Sequence, residues 1–301
     1  VKVGDVTSIA PETPSPNAQA FAPTPPTFFG ARMSRVKYRD QTIIITGASS
    51  GIGASFARSL AARGSNLILV ARRGDRLEAL AAELEKAHGI TATAIALDLT
   101  SPTAGVDLKV AVDALSFRVT SLINNAGFGT FGDFVEEDPA RLTQEIAVDI
   151  SAPVQLSSAF LPDIIAAGGG FLINVASMAA YMPSPRMAVY GASKAFVLSF
   201  TESLWAELRD AGVTAFALSP GATSTEFNAV VGTDDATAGA KMRTPDDVVA
   251  TALAHLESRN PGPSVIDGAS NRVSTSLMRL MGRRSTVTMM HRMTDPARRN
   301  G

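Results

Sequence analysis

From Arg39 onward the chain alternates short apolar runs with amphipathic stretches. Runs at 42–46, 66–71, 91–97, 121–124, 171–175, 214–218 and 264–266 are nearly continuous in Ile, Leu, Val, Phe and Ala. Strands covered on one face only would alternate apolar with polar; near-continuous runs read as strands buried on both faces. Segments 52–63, 76–88, 106–115, 139–167, 188–211 and 245–258 lie between them and read as helices. Regular alternation of strand and helix predicts an α/β fold, a doubly wound parallel sheet of about seven strands with helices on both faces. No internal repeat of 20–50 residues is visible.

Composition narrows the functional classes. The 301 residues are 46% apolar and carry a net charge of −1, which gives no electrostatic footprint for nucleic acid. With no cysteine there is no disulfide, thiolate zinc site or cysteine nucleophile, and His88, His255 and His291 have no metal-ligand spacing. No apolar run approaches the roughly 20 residues a spanning helix needs, so a cytoplasmic protein is expected. Six of the 17 prolines fall between Pro11 and Pro26, among small polar residues. Residues 1–38 therefore read as a disordered Pro-rich extension, with the functional chain starting near Met33. Residues 39–270 read as one domain, and 271–301 as a basic, Met-rich helical tail.

Chemistry is concentrated where the strands end. After the first apolar run comes Thr46-Gly47-Ala48-Ser49-Ser50-Gly51-Ile52-Gly53, followed directly by a helix. Such a turn aims backbone N–H groups and a positive dipole end at one point, and its glycines let a pyrophosphate reach the main chain. The second run ends Ala71-Arg72-Arg73. An acid there would bind a ribose 2′-hydroxyl, whereas arginine forks suit a 2′-phosphate, so NADP(H) is favoured over NAD(H). Arg76 reads as part of a solvated helix start. Asp98-Leu99 and Asn124-Asn125-Ala126-Gly127 end the third and fourth runs on the same sheet edge. Ser177 ends the fifth, and Tyr190 and Lys194 follow at a spacing that puts both on one helix face. A neighbouring ammonium favours the phenolate and brings a tyrosine toward useful acid–base range. A serine hydroxyl beside it can hold a carbonyl or alcohol oxygen.

Together these motifs resemble the short-chain dehydrogenase/reductase family, over roughly Arg39 to Asp267. The matching parts are the Thr-Gly-x-x-x-Gly-x-Gly turn, Asn-Asn-Ala-Gly, Ser177 with Tyr-x-x-x-Lys, Pro220-Gly221 and Thr225. The resemblance implies a Rossmann-type fold and hydride transfer between nicotinamide and a small-molecule carbonyl or secondary alcohol. It also implies Asp98 near adenine, Arg72 at the 2′-phosphate, Lys194 on the nicotinamide ribose and Thr225 near the carboxamide and diphosphate. A homodimer or homotetramer is the family's usual assembly. One position departs from the pattern: Asp149 stands where the family usually has an asparagine that helps hold a water behind the lysine. Either this carboxylate is protonated or turned away and activity is only tuned, or it offsets the field of Lys194 and leaves a weak NADP-binding scaffold.

Two regions address specificity. Phe128, Phe131 and Phe134, together with Met178, Tyr181 and Met182, are candidates for an apolar substrate wall, and 226–243 for a mobile lid. The tail interleaves Met278, Leu280, Met281, Met289, Met290 and Met293 with arginines. Packing back on the protein through adaptable methionines is favoured over contact with a membrane surface.

Overall fold

The computed structural model describes residues 36–115, 117–232, 242–278 and 280–295. The expected disordered extension up to residue 35, part of the 226–243 lid and the final arginines lie outside the described residues. Seven parallel strands form one sheet in the order β3-β2-β1-β4-β5-β6-β7. They are β1 (Thr42–Thr46), β2 (Asn66–Ala71), β3 (Ala92–Ala96), β4 (Ser121–Asn124), β5 (Gly170–Val175), β6 (Val213–Ser219) and β7 (Ser264–Ile266). The chain builds outward from β1 to β3, then returns to lay β4 against the other side of β1. At that reversal the turns after β1 and β4 face one another, the crevice where open α/β sheets take ligands.

The isoleucine run of β1 shows why the strands lack alternation. Ile43 and Ile45 enter the core beneath α1 (Gly51–Ala61), α2 (Gly74–His88) and α8 (Pro245–Leu256), with Phe56, Leu60, Leu77 and Phe216. Ile44 points the other way, among Leu108 of α3 (Ala104–Asp113), Leu156 and Phe160 of α5 (Ala152–Ala166), and Leu208 of α6 (Ala188–Leu208). Both faces are covered, so both need apolar side chains. His255 stands edge-on to Phe216 at 4.8 Å and bonds the Gly262 carbonyl at 3.0 Å, a packing role.

The long helix expected over 139–167 is broken. α4 (Pro139–Ile146) gives way to a π turn (Ala147–Ser151) before α5 begins. Pro153 has no N–H for the carbonyl four residues earlier, and the Ala152 N–H instead reaches back to Ala147, so the ladder widens. Asp149 sits in that widened turn. Likewise 188–211 ends as a helix at Leu208, finishing in a tighter turn over Arg209–Ala211 that Gly212 closes at φ 72°.

The tail is helical, as α9 (Ala269–Met278) and α10 (Arg283–Met293), and it docks on the body. Asn271 lies against Gly221, and Arg186 reaches the His291 carbonyl at 3.4 Å and Asp295 at 3.7 Å. Arg186 does so from a left-handed backbone, φ 64°, uncommon outside glycine. The buried tail residues are Thr275, Thr286 and Thr294 rather than the expected methionines; Met281 and Met293 remain exposed. No described helix is long and apolar enough to cross a membrane.

Phe216→Ala removes a ring with no solvent exposure from the centre of β6. It is expected to cost about 3–5 kcal/mol of stability, read as a lower urea midpoint at unchanged slope.

Candidate active site

A single hydroxyl clasps the two facing turns. Thr46 Oγ1 accepts the Asn125 and Ala126 amides at 2.9 and 3.0 Å, while Asn125 Nδ2 donates to the Thr46 carbonyl at 2.8 Å. The turns approach so closely that glycine is obligatory. Gly47 has φ 66°, and a Cβ on it would stand 2.8 Å from Asn125 Nδ2. A Cβ on Gly53 would run into the Gly47 carbonyl. Gly51, at φ 55°, opens α1 and lies under Thr225, whose methyl would be 3.1 Å from a Cβ there. Ser49 and Ser50 flank this helix start and Ile52 packs behind it. The result is a cradle without side chains at the positive end of a helix.

The arginine over the cradle is Arg73. Its guanidinium donates to Ser49 Oγ at 2.9 and 3.2 Å and to Ser50 Oγ at 3.0 Å. Glu226 joins it to Arg76, with ion pairs of 2.8 and 2.7 Å. Hydrogen bonds from Arg76 and then Arg73 hold the Glu226 carboxyl down at about 2. Arg76 is therefore not merely a solvated helix start. Arg72, expected to be the principal phosphate arginine, is exposed and makes no polar contact among the described residues. Asp98 is exposed too, accepting the Thr100 amide at 3.0 Å, and Leu99 turns its side chain into the core. Pro220 accepts the Met178 amide at 2.9 Å, which fixes Pro220-Gly221 beside the Ser177 turn.

Gly127 joins the cradle to the second cluster. A Cβ there would lie 2.8 Å from Asp149 Oδ1 and 2.9 Å from Lys194 Nζ. Lys194 Nζ is 3.2 Å from Asp149 Oδ2 and donates to the Val175 carbonyl at 3.3 Å. Asp149 is wholly buried and Lys194 nearly so, and Phe128 N–H donates to the second carboxylate oxygen at 3.1 Å. Asp149 is thus turned toward the lysine, not away. Burial pushes its carboxyl up and Lys194 pulls it back. Burial also opposes the lysine charge, but Asp149 and Tyr190 outweigh it and hold the ammonium above its usual range.

Tyr190 lies a turn before Lys194, whose Nζ is 5.5 Å from the ring centre. Burial is the main influence and, with Asp149 and Glu145, holds the phenol above its usual range; Lys194 and Ser177 lower it but do not bring about the net lowering expected from the lysine alone. Ser177 faces that hydroxyl and is held by the Ala179 amide, which donates to its Oγ at 3.1 Å.

The sequence reading did not single out three residues, although two of them fall in the expected 226–243 lid. Phe227, opening α7 (Phe227–Val231), packs its ring 5.3 Å from Tyr190. Glu226 precedes it, on the arginines. Glu145, on α4, is fully buried. A buried acid in an amphipathic helix leaves no local signal, and the other two sit in a stretch without period. The expected phenylalanine cluster does not assemble: Phe128 stacks beneath Arg141 at 4.5 Å and Phe134 is 62% exposed.

Residues 41–236 match the short chain dehydrogenase family, and the chain belongs to it. A short chain dehydrogenase of Pseudocercospora fijiensis is 36% identical over 218 residues, 71% of this chain and 65% of that protein. A sulfoacetaldehyde reductase of Chromohalobacter salexigens is 38% identical over 205 residues, 67% and 80% of the two chains. The solved short-chain dehydrogenase of Sphingobium yanoikuyae in complex with NADPH aligns with TM-score 0.70 at 33% identity, covering 80% of this chain and 96% of that one.

Thr46→Val strips two amides of their acceptor. Each unpaired group costs about 1–3 kcal/mol, so a fall in thermal midpoint of several degrees is expected in calorimetry.

Proposed function

We propose that the chain is an NADP(H)-dependent oxidoreductase that interconverts an apolar carbonyl compound and its secondary alcohol. The observation that carries this reading is the Tyr190 phenol, half-buried between Lys194, Ser177 and Phe227 at the carboxyl edge of the sheet. The residues fit a dinucleotide: a cradle any Cβ would fill, and two arginines held by an internal carboxylate where a phosphate would serve equally. Gly47, Ser49, Ser50, Gly51 and Gly53 would hold the pyrophosphate with Thr225, and Asn125, Ala126 and Gly127 would flank the nicotinamide side. Arg73, with Arg76 and Arg72, would meet a 2′-phosphate, and the NADPH complex of the Sphingobium relative supports that preference.

When bound, the nicotinamide supplies or accepts the hydride. Ser177 holds the substrate oxygen and Tyr190 gives it a proton, or takes one in the oxidative direction. Lys194 lowers the phenol against the burial that raises it, and it would hold a ribose hydroxyl of the cofactor. Phe227 packs on the Tyr190 ring, and Met187 joins both around Gly129; a Cβ there would be 3.1 Å from Phe227 and Tyr190 and 3.2 Å from Met187. That wall favours an apolar substituent on the substrate.

A second reading, a weakly catalytic NADP-binding scaffold, draws on the Asp149 carboxylate against Lys194, which opposes phenolate formation. Exposed Ile146, Ile165 and Phe196 on α4, α5 and α6, with Phe196 stacked on Phe200 at 5.8 Å, support a dimer or tetramer under either reading.

NADPH consumption against a panel of ketones and aldehydes separates the two. On the enzyme reading Tyr190→Phe lowers kcat/KM by roughly 10²–10⁴-fold; activity that survives the substitution refutes it. Arg73→Ala is expected to weaken NADPH by about tenfold or more and leave NADH unchanged, measured by cofactor fluorescence.

A further inference from the structure

Glu145 has no part in the reaction as described, yet it is the most anomalous side chain in the described residues. It is completely buried, and neither carboxyl oxygen makes a hydrogen bond of ordinary geometry. A buried carboxylate without a partner costs several kcal/mol, so such a group keeps its proton. Thr130 presents its amide and hydroxyl only loosely. Burial is the chief cause that raises the Glu145 carboxyl to about 7, with Asp149 and Glu137 adding to it.

Its neighbours include both the Lys194 cluster and two residues of a surface cleft. Glu145 lies one helical turn before Asp149 and acts electrostatically on both Tyr190 and Lys194. On its outer side, Thr130 and Glu137 also line a cleft of about 120 Å³ that opens between α4 and the start of α6. Asp133, Arg186 and His291 stand at the same cleft. The charged groups facing Glu145 are thus Asp149 from the π turn, Glu137 from the loop before α4, and Tyr190 and Lys194 from α6.

We propose that Glu145 and Asp149 share one proton at neutral pH and that this pair, filled from the cleft, resupplies Lys194 and through it Tyr190 during carbonyl reduction. The inference rests on the oxidoreductase reading above. In each turnover the phenol O–H bond breaks as the substrate alcohol O–H forms. The phenolate takes a proton from the Lys194 side, the lysine regains it from the carboxyl pair, and solvent entering the cleft reprotonates Glu145. Only protons move along this path. Glu145 acts through Asp149 and Lys194 and is a positioning residue.

The sign of the pH dependence follows. An acid whose folded pKa is raised is protonated through the interval between its ordinary value and the raised one, here from about 4.5 to about 7. Above that, a second negative charge stands behind Lys194, no proton is stored, and phenolate formation is opposed. Reductive kcat should therefore fall as pH rises through about 7.

Two measurements test the pair and the relay separately. Carbon-13 resonances of labelled glutamate side chains in the wild-type protein should show one carboxyl titrating near neutrality, absent from Glu145→Gln and displaced to lower pH in Asp149→Asn. Absence of that titration overturns the pair whether or not the protein turns over substrate. In steady state, Glu145→Gln should lower reductive kcat by about tenfold, less than loss of a direct donor, and abolish the inflection near neutrality while cofactor affinity holds. Glu145→Met, suited to the buried site, should behave alike. An unchanged pH–kcat profile in both variants, with Tyr190→Phe inactive, overturns the relay. No turnover by the wild type overturns the enzyme reading and the relay together, and the resonance titration then decides the shared proton alone.

Discussion

The structure depends on the contact between two strand ends, made by the Thr46 hydroxyl. It fills the acceptor needs of two amides in the β4 turn, and the β4 turn returns a hydrogen bond through Asn125. No side chain fits between them, which is why Gly47 and Gly53 flank the clasp. Backbone N–H groups that would otherwise pair within a loop are left pointing along the sheet edge. The same clasp fixes Gly127, and Gly127 fixes how near Asp149 and Lys194 come to the crevice.

Behind that edge the protein keeps charge where water is excluded. Lys194 and Asp149 are each unfavourable alone and tolerable as a pair. At 3.2 Å the carboxylate holds the lysine in its charged form against the cost of burial. A few ångströms of lysine stem link this reservoir to Tyr190. Burial raises the tyrosine, the lysine lowers it, and the carboxylates raise it again. Reactivity is therefore set by a balance of nearby opposing charges, and the π turn forced by Pro153 puts one of those charges in place.

Much of this was legible in the residues. Bounds of β1, β2 and β4 coincide with their apolar runs because buried parallel strands admit little else; those of the half-buried edge strand β7 coincide as well. The glycine turn, Ser177, Tyr190 and Lys194 were legible because their spacing is itself the geometry. Less accessible was anything set by packing across the sequence. Arg72 and Arg73 are chemically identical, and only the twist at the end of β2 decides which one turns onto Ser49. The π turn hinges on one missing N–H in a stretch with good helical pattern. Phe227 reaches Tyr190 from a five-residue helix with no periodic signal, and the buried tail residues are threonines, not the expected methionines.

Glu226 and Phe227 are consecutive, yet they touch opposite ends of the crevice. The carboxylate grips two arginines on the outer rim, and the ring leans on Tyr190. One peptide unit separates the two contacts, so a single short stretch of backbone carries both. Charge at the rim and shape beside the tyrosine thus share one support.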